Sequence, residues 1–218
     1  ELYEKIAENE KRLDNELAIA REIQRQLLPN AIPPFGGLEM AVSFTPAAHL
    51  GGDIYDLFRF NDGRFALTIG DVSGKGAPAA LYGALASGVI RTRATRKYPP
   101  AQMLALVNES LKQRPIATQY IALVYAVYEP ETKRLTFSNS GLRYPICSNG
   151  NGSGVGFLDI SGIPLGLLPD SKYEERVIEI QEGDLIAFYT DGIAERRDRD
   201  GEEFGLKRLS ELVQENRK

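Results

Sequence analysis

The chain has no tryptophan, a single cysteine, a single histidine and two methionines among its 218 residues. Each scarcity removes a class of chemistry. Cys147 alone cannot close an internal disulfide, which fits a reducing, cytoplasmic setting. His49 alone excludes a multi-histidine zinc site and leaves a Ser-His-Asp triad a poor fit. No apolar run reaches the length of a membrane span, and no signal-peptide pattern stands at the start. An excess of charge is lacking too. Lys and Arg number 26 and Asp and Glu 30, a formal net charge of −4. Nothing therefore favours broad binding to nucleic acid or to an anionic membrane. What is present is ordinary: 43% hydrophobic and 26% charged residues, enough for one domain with a real core.

The informative stretch is residues 51–76. It holds GGDIYD (Gly51 to Asp56) and GDVSGKG (Gly70 to Gly76). Between them, LFRFNDGRFALTI reads as strand, turn, strand, with Asn61, Asp62 and Gly63 at the turn. Such a hairpin brings Asp53, at the start of the outgoing strand, and Asp71, at the close of the returning one, to a common end. Two carboxylates meeting there are costly unless a positive charge sits between them. A hard divalent cation is the natural candidate. A third acidic corner is YTDGIAE (Tyr189 to Glu195), where an apolar strand runs into Asp191 and Gly192. An isolated Asp-Gly pair is usually a turn. Three Asp residues at strand ends, beside glycines that let backbone approach an ion, instead suit Mg²⁺ or Mn²⁺.

The rest of the chain supplies a frame. Residues 1–28 read as one helix, with Ile6, Leu13, Ala20 and Leu27 at heptad spacing and Leu2, Leu17 and Ile23 widening the stripe. A short coiled coil and an amphipathic helix packed on its own domain both remain open, because Asn9, Glu10 and Glu16 interrupt the seam. Pro29 to Gly37 is a connector. Glu39 to Pro46 alternates like a strand. Gly76 to Lys97 and Ala101 to Arg114 read as helices. Strands follow at Gln119 to Pro130 and Arg134 to Gly141. The run Asn149 to Gly156 precedes no helix-forming segment, so it reads as a hairpin loop and not a phosphate cradle. Gly162 to Asp170 is an irregular loop. Tyr173 to Gly192 reads as two strands joined at Glu182 and Gly183, and residues 205–217 as a closing helix. Strands grouped around a helical pair predict an α+β fold with antiparallel sheets and no second domain.

Taken together, AREIQRQLLP, PAAHLGGDIYD, IGDVSGKGAPAAL, FSNSG and FYTDGIAE resemble the metal-dependent PPM serine/threonine phosphatases, bacterial RsbU/SpoIIE branch, from about Ala20 to Gly205. The resemblance implies an αββα sandwich of two antiparallel sheets flanked by helices, with two Mn²⁺ or Mg²⁺ ions at one end. It implies that Asp53, Asp71 and Asp191 are metal ligands and that the Val72 backbone carbonyl is another. A water activated by the ions would attack phosphorus with no covalent intermediate. Asp56, Gly192 and Lys75 would lie further out, or near the phosphate. Expected substrates are phosphoserine or phosphothreonine on a small STAS-type anti-sigma-factor antagonist, in a partner-switching circuit.

The resemblance also divides the chain into a regulatory linker helix, residues 1–28, and a phosphatase domain, residues 29–218. The helix would carry signals from an upstream sensor, with homodimerisation through Leu13, Leu17, Ala20 and Leu27. Two departures from the family pattern stand out. Ser73 occupies the place where eukaryotic relatives carry a histidine, which predicts a slow enzyme with Ser73 as a turn residue. The Asp-Asp-x-Thr type motif that supplies a further ligand near the family's C-terminus is absent from these residues, and a longer gene product is expected to carry it. Two alternatives come from other classes. One is a catalytically inactive phosphatase fold serving as a binding or switch module. The other, a nucleotide switch, is disfavoured because no P-loop pattern is present.

Overall fold

The computed structural model describes residues 1–29, 31, 32, 35, 37–151 and 154–216. Its elements run α1 (Leu2–Leu27), β1 (Ile54–Arg59), β2 (Phe65–Val72), α2 (Ala77–Ala94), α3 (Pro100–Lys112), β3 (Ile121–Glu129) and β4 (Arg134–Asn139). They continue with β5 (Ile146–Ser148), β6 (Val155–Phe157), β7 (Arg176–Glu179), β8 (Leu185–Ala187), α4 (Asp191–Ala194) and α5 (Gly205–Glu215). The strands form two antiparallel sheets, ordered β1-β2-β3-β4-β7 and β6-β5-β8.

Period-two alternation builds the layers. On β3, Leu123, Tyr125 and Val127 join Ile90, Met103, Leu104 and Val107 of α2 and α3 in one core. The intervening Val124, Ala126 and Tyr128 join Phe65, Phe137, Ile186 and Phe188 in a second core between the sheets. A third small core packs Val213 and Leu209 of α5 on Ile146, Leu185 and Ala187. The layers are thus helix, sheet, sheet, helix, the α+β sandwich that the sequence predicts.

One expectation changes. Residues 39–46 form no strand. The backbone there makes no ladder, and Pro46 has no N–H to give one. Leu38 and Met40 instead cover the inter-sheet core, and Phe44 sits 6.0 Å from the Tyr55 ring. A strap that packs alternate side chains gives the same sequence period as a strand. The two strands of 173–192 join different sheets, β7 on β4 and β8 on β5. The connector at 29–37 and the loop at 149–156 each lie partly outside the described residues.

Helix α1 buries no residue. Leu17, Ala20, Gln24 and Leu28 form a half-buried line toward the domain, while Leu2, Tyr3, Ile6, Leu13, Ile19, Ile23 and Leu27 are exposed. The helix thus packs one line of side chains on its own domain near its C-terminal end, as the amphipathic reading expects, and exposes its other apolar residues. Among the described residues no helix is long and apolar enough to cross a membrane.

A candidate metal centre at one end of the sandwich

The hairpin register places the first two carboxylates together. Ile54 pairs with Gly70, so one step further puts Asp53 across from Asp71. The Val72 N–H donates to the Gly52 carbonyl at 3.3 Å, which closes the hairpin's open end. Gly52 is required by space. A Cβ there would come within 2.8 Å of the Val72 carbonyl oxygen and 3.5 Å of Asp71 Oδ1. With glycine, that carbonyl and that carboxylate stay open to a ligand.

The third corner arrives from the far end of the chain. After β8, Thr190 precedes the short turn α4, and its Oγ1 donates to Asp53 Oδ2 at 3.0 Å. Asp191 follows directly, and Glu195 N–H donates back to the Asp191 carbonyl at 2.8 Å. Asp53, Asp71, Asp191 and Glu195 thereby gather at one end of the sandwich.

The electrostatics follow from that crowding. Burial pushes the Asp71 carboxyl up to about 7, and the neighbouring Asp53, Asp191 and Glu195 charges add to the rise. Burial also raises Asp53, against the pull of the Thr190 hydroxyl. Among the described residues, no three His, Cys, Asp or Glu side chains converge tightly enough to enclose an ion as they stand. The donors nonetheless fit a hard divalent cation in kind: carboxylates and one carbonyl, all oxygen, beside a glycine that clears the approach. A cation would offset the repulsion among these carboxylates, which adds to the effect of burial at Asp71.

Ser73 has a structural task. Its Oγ accepts from Tyr120 N–H at 2.9 Å and donates to the Thr118 carbonyl at 2.9 Å, while its own N–H donates to Tyr120 O at 2.9 Å. This zips the loop after Asp71 to the segment before β3, and the hydroxyl is fully used. Asp56, expected at the periphery, is buried under α2, where Arg91 forks onto it at 2.7 Å (Nε to Oδ2) and 3.0 Å (Nη2 to Oδ1). The 2.7 Å contact is close but poorly directed, so Oδ2 lacks a well-aimed hydrogen bond. Lys75 is exposed, and Gly192 lies in α4 with open space at its Cβ position.

Sequence reasoning missed Thr190 and Glu195, although both lie inside a motif it singled out. It also missed Gln24. The Gln24 side chain grips Gly51 in both directions, Nε2 to the carbonyl at 2.7 Å and Oε1 from the N–H at 3.2 Å. Arg91 extends the tie by donating to the Leu27 carbonyl at 3.1 Å. No local pattern signals contacts between residues 27 and 64 positions apart.

A family model described as stage II sporulation protein E (SpoIIE) matches residues 61–218. The chain is 26% identical to phosphoserine phosphatase RsbU of Bacillus subtilis over 189 residues, covering 87% of this chain and 56% of that protein. It thus spans about half the length of that curated relative. The SiaA-PP2C domain of Pseudomonas aeruginosa has a similar fold, with a TM-score of 0.79, 21% identity, and coverage of 94% of this chain and 83% of that one. The RsbU and RsbW domains of a Mycobacterium tuberculosis protein match with a TM-score of 0.67 and 24% identity, over 78% of this chain and 47% of that one.

Proposed function

Because the chain belongs to the SpoIIE family of PP2C-type phosphatase domains, we propose that it is a protein serine/threonine phosphatase. Its substrate in this reading is a phosphoserine or phosphothreonine on a small STAS-type regulatory protein, within a partner-switching pathway in the cytoplasm. The observation that carries the reading is the convergence of Asp53, Asp71 and the Thr190–Asp191 turn at one end of the sandwich.

Asp53, Asp71, Asp191 and the Val72 carbonyl would hold the metal, Mn²⁺ or Mg²⁺. When bound, a pair of such ions would supply a water acidic enough to attack phosphorus at neutral pH and would offset the charge of the phosphate. The protein's own part is preorganisation. Thr190 holds Asp53 in one rotamer through Oδ2. Gly52 keeps the Val72 carbonyl clear. The Ser73 zip fixes the loop that follows Asp71. With the Ser73 hydroxyl committed and no histidine at its position, proton donation to the leaving serine falls to water, which supports a slow enzyme.

Titration of Mn²⁺ and Mg²⁺ with an aryl phosphate substrate tests this. Saturable metal-dependent hydrolysis that disappears in Asp71→Asn is expected. Metal binding without turnover, by protein intact in its circular dichroism, would instead favour the second reading, an inactive phosphatase fold used as a switch module.

Regulation belongs to the same proposal. Residues 1–28 would act as a linker helix for the domain at 29–218, and the exposed apolar residues of α1 would pair with a second copy. The clasp of Gln24 on Gly51 lies two residues from Asp53, so reorienting α1 would move the metal loop.

A further inference from the structure

The FSNSG motif and the residues just after it form a polar loop that the metal centre leaves without a task. Two side chains with no solvent exposure fix this loop. Asn139 Oδ1 accepts from Leu142 N–H at 2.8 Å, and its Nδ2 donates to the Leu142 carbonyl at 2.9 Å. Ser140 Oγ accepts from Leu123 N–H at 3.0 Å and donates to the Leu123 carbonyl at 3.1 Å. Gly141 turns the chain at φ +94°, where an L side chain is strained. Leu142 is buried, and the Tyr144 hydroxyl meets Ser161 Oγ at 2.9 Å. Satisfied, buried polar groups make a stiff loop.

That stiff loop holds out Arg143, whose Nη2 lies 2.9 Å from Glu195 Oε1. Glu195 lies one helical turn after Asp191, with its N–H on the Asp191 carbonyl, and its carboxylate acts on Asp71, so the Arg143–Glu195 pair stands beside the carboxylate cluster. Both partners are about half exposed, at 47% and 52%. Such a pair is weak and exchanges readily.

We propose that Arg143 is a substrate-binding residue that leaves Glu195 to grip two non-bridging oxygens of the incoming phosphate monoester. A dianion entering a rim of four carboxylates needs positive charge from outside the metal-binding shell. A guanidinium fork matches two phosphate oxygens in a way that a lysine does not. Glu195 is the stand-in anion that keeps the arm extended between substrates. The inference rests on the phosphatase reading for its substrate class, but its first test does not need turnover.

Inorganic phosphate is titrated calorimetrically into the Mn²⁺-loaded chain and into its Arg143→Ala, Arg143→Lys and Glu195→Gln variants. Arg143→Ala is expected to weaken phosphate binding about tenfold, the scale of one charge-assisted contact. Arg143→Lys should fall between, and Glu195→Gln should tighten binding. Mn²⁺ affinity and the melting temperature should be the same in Arg143→Ala as in the parent. With an aryl phosphate, KM should rise by the same factor as the phosphate Kd while kcat changes by less than about threefold. Unchanged phosphate affinity in both Arg143 variants overturns the inference. So does a loss of Mn²⁺ affinity that accounts for the loss of phosphate binding, since Arg143 would then act only by ordering Glu195. Phosphate binding through Arg143 without ester hydrolysis would sink the phosphatase reading and leave Arg143 standing, whereas hydrolysis with phosphate affinity indifferent to Arg143 would do the reverse.

Discussion

Asp56 shows how a single buried carboxylate sets a pH response. Its side chain is 2% exposed, and burial pushes the carboxyl up to about 6, against the pull of the Leu57 N–H and of Arg91. An unfolded Asp titrates near about 3.9. The folded chain therefore holds this proton more tightly than the unfolded one. The stability tied to this group is full below about pH 4, declines as pH rises toward 6 and stays level above that. Asp56→Asn should flatten this part of the profile, as measured by urea midpoints between pH 4 and 8. Thr190 offers a second prediction. Thr190→Val removes the hydroxyl that orients Asp53 and should weaken Mn²⁺ binding by about tenfold or more, with Thr190→Ser retaining most of it. At this scale the sequence was legible where chemistry sits beside glycine at a strand end, as at Asp53, Asp71 and Asp191. It was silent on the contacts that Gln24 and Arg91 make, because their partners are distant in the chain, although Gln24 lies inside AREIQRQLLP and Gly51 and Asp56 inside GGDIYD.

Between elements, the contacts of α1 and α2 with the glycine loop matter most. Gln24→Ala removes both hydrogen bonds to Gly51. At about 1 kcal/mol for each net hydrogen bond, the metal loop loses up to roughly thirtyfold of its ordering. The expected result is weaker Mn²⁺ binding and lower activity with little change in melting temperature, because α1 buries no residue. Under the proposed pairing of α1 with a second copy, Leu13→Asp should abolish association of the chain while leaving the Mn²⁺ affinity of the monomer intact. Sedimentation and calorimetry on the same samples separate the two effects. Element boundaries for both long helices and the β1–β2 hairpin could be read from period and turn residues. The strand expected at 39–46 could not, because alternation reports which side chains are buried and is blind to whether the backbone finds a ladder.

Across the whole molecule, stability resides in the core between the two sheets and in the layer under α2 and α3. Phe137 is fully buried at the centre of the inter-sheet core. Phe137→Ala should cost about 3–5 kcal/mol, a large share of the roughly 5–15 kcal/mol that a domain has. At about 2–4 °C per kcal/mol, the melting temperature should drop by about 10 °C. Val177→Ala on the exposed face of β7 should shift it by under about 0.5 kcal/mol. The layering was legible because strands group around a helical pair in the sequence, while the split of β7 and β8 into different sheets depends on pairings that no local run encodes.

At 26 residues and 1.5 Å of rise for each, α1 is about 39 Å long. Among the described residues its half-buried side chains toward the domain are Leu17, Ala20 and Gln24, followed by Leu28, and the Leu27 carbonyl accepts from Arg91. In the proposed regulatory role the domain would read the pose of a helix end and not the identity of the helix. Any helix that set a glutamine amide on Gly51 and a carbonyl on Arg91 would then speak the same language. So small a socket would let such a unit be wired behind unrelated inputs without any change to its own core.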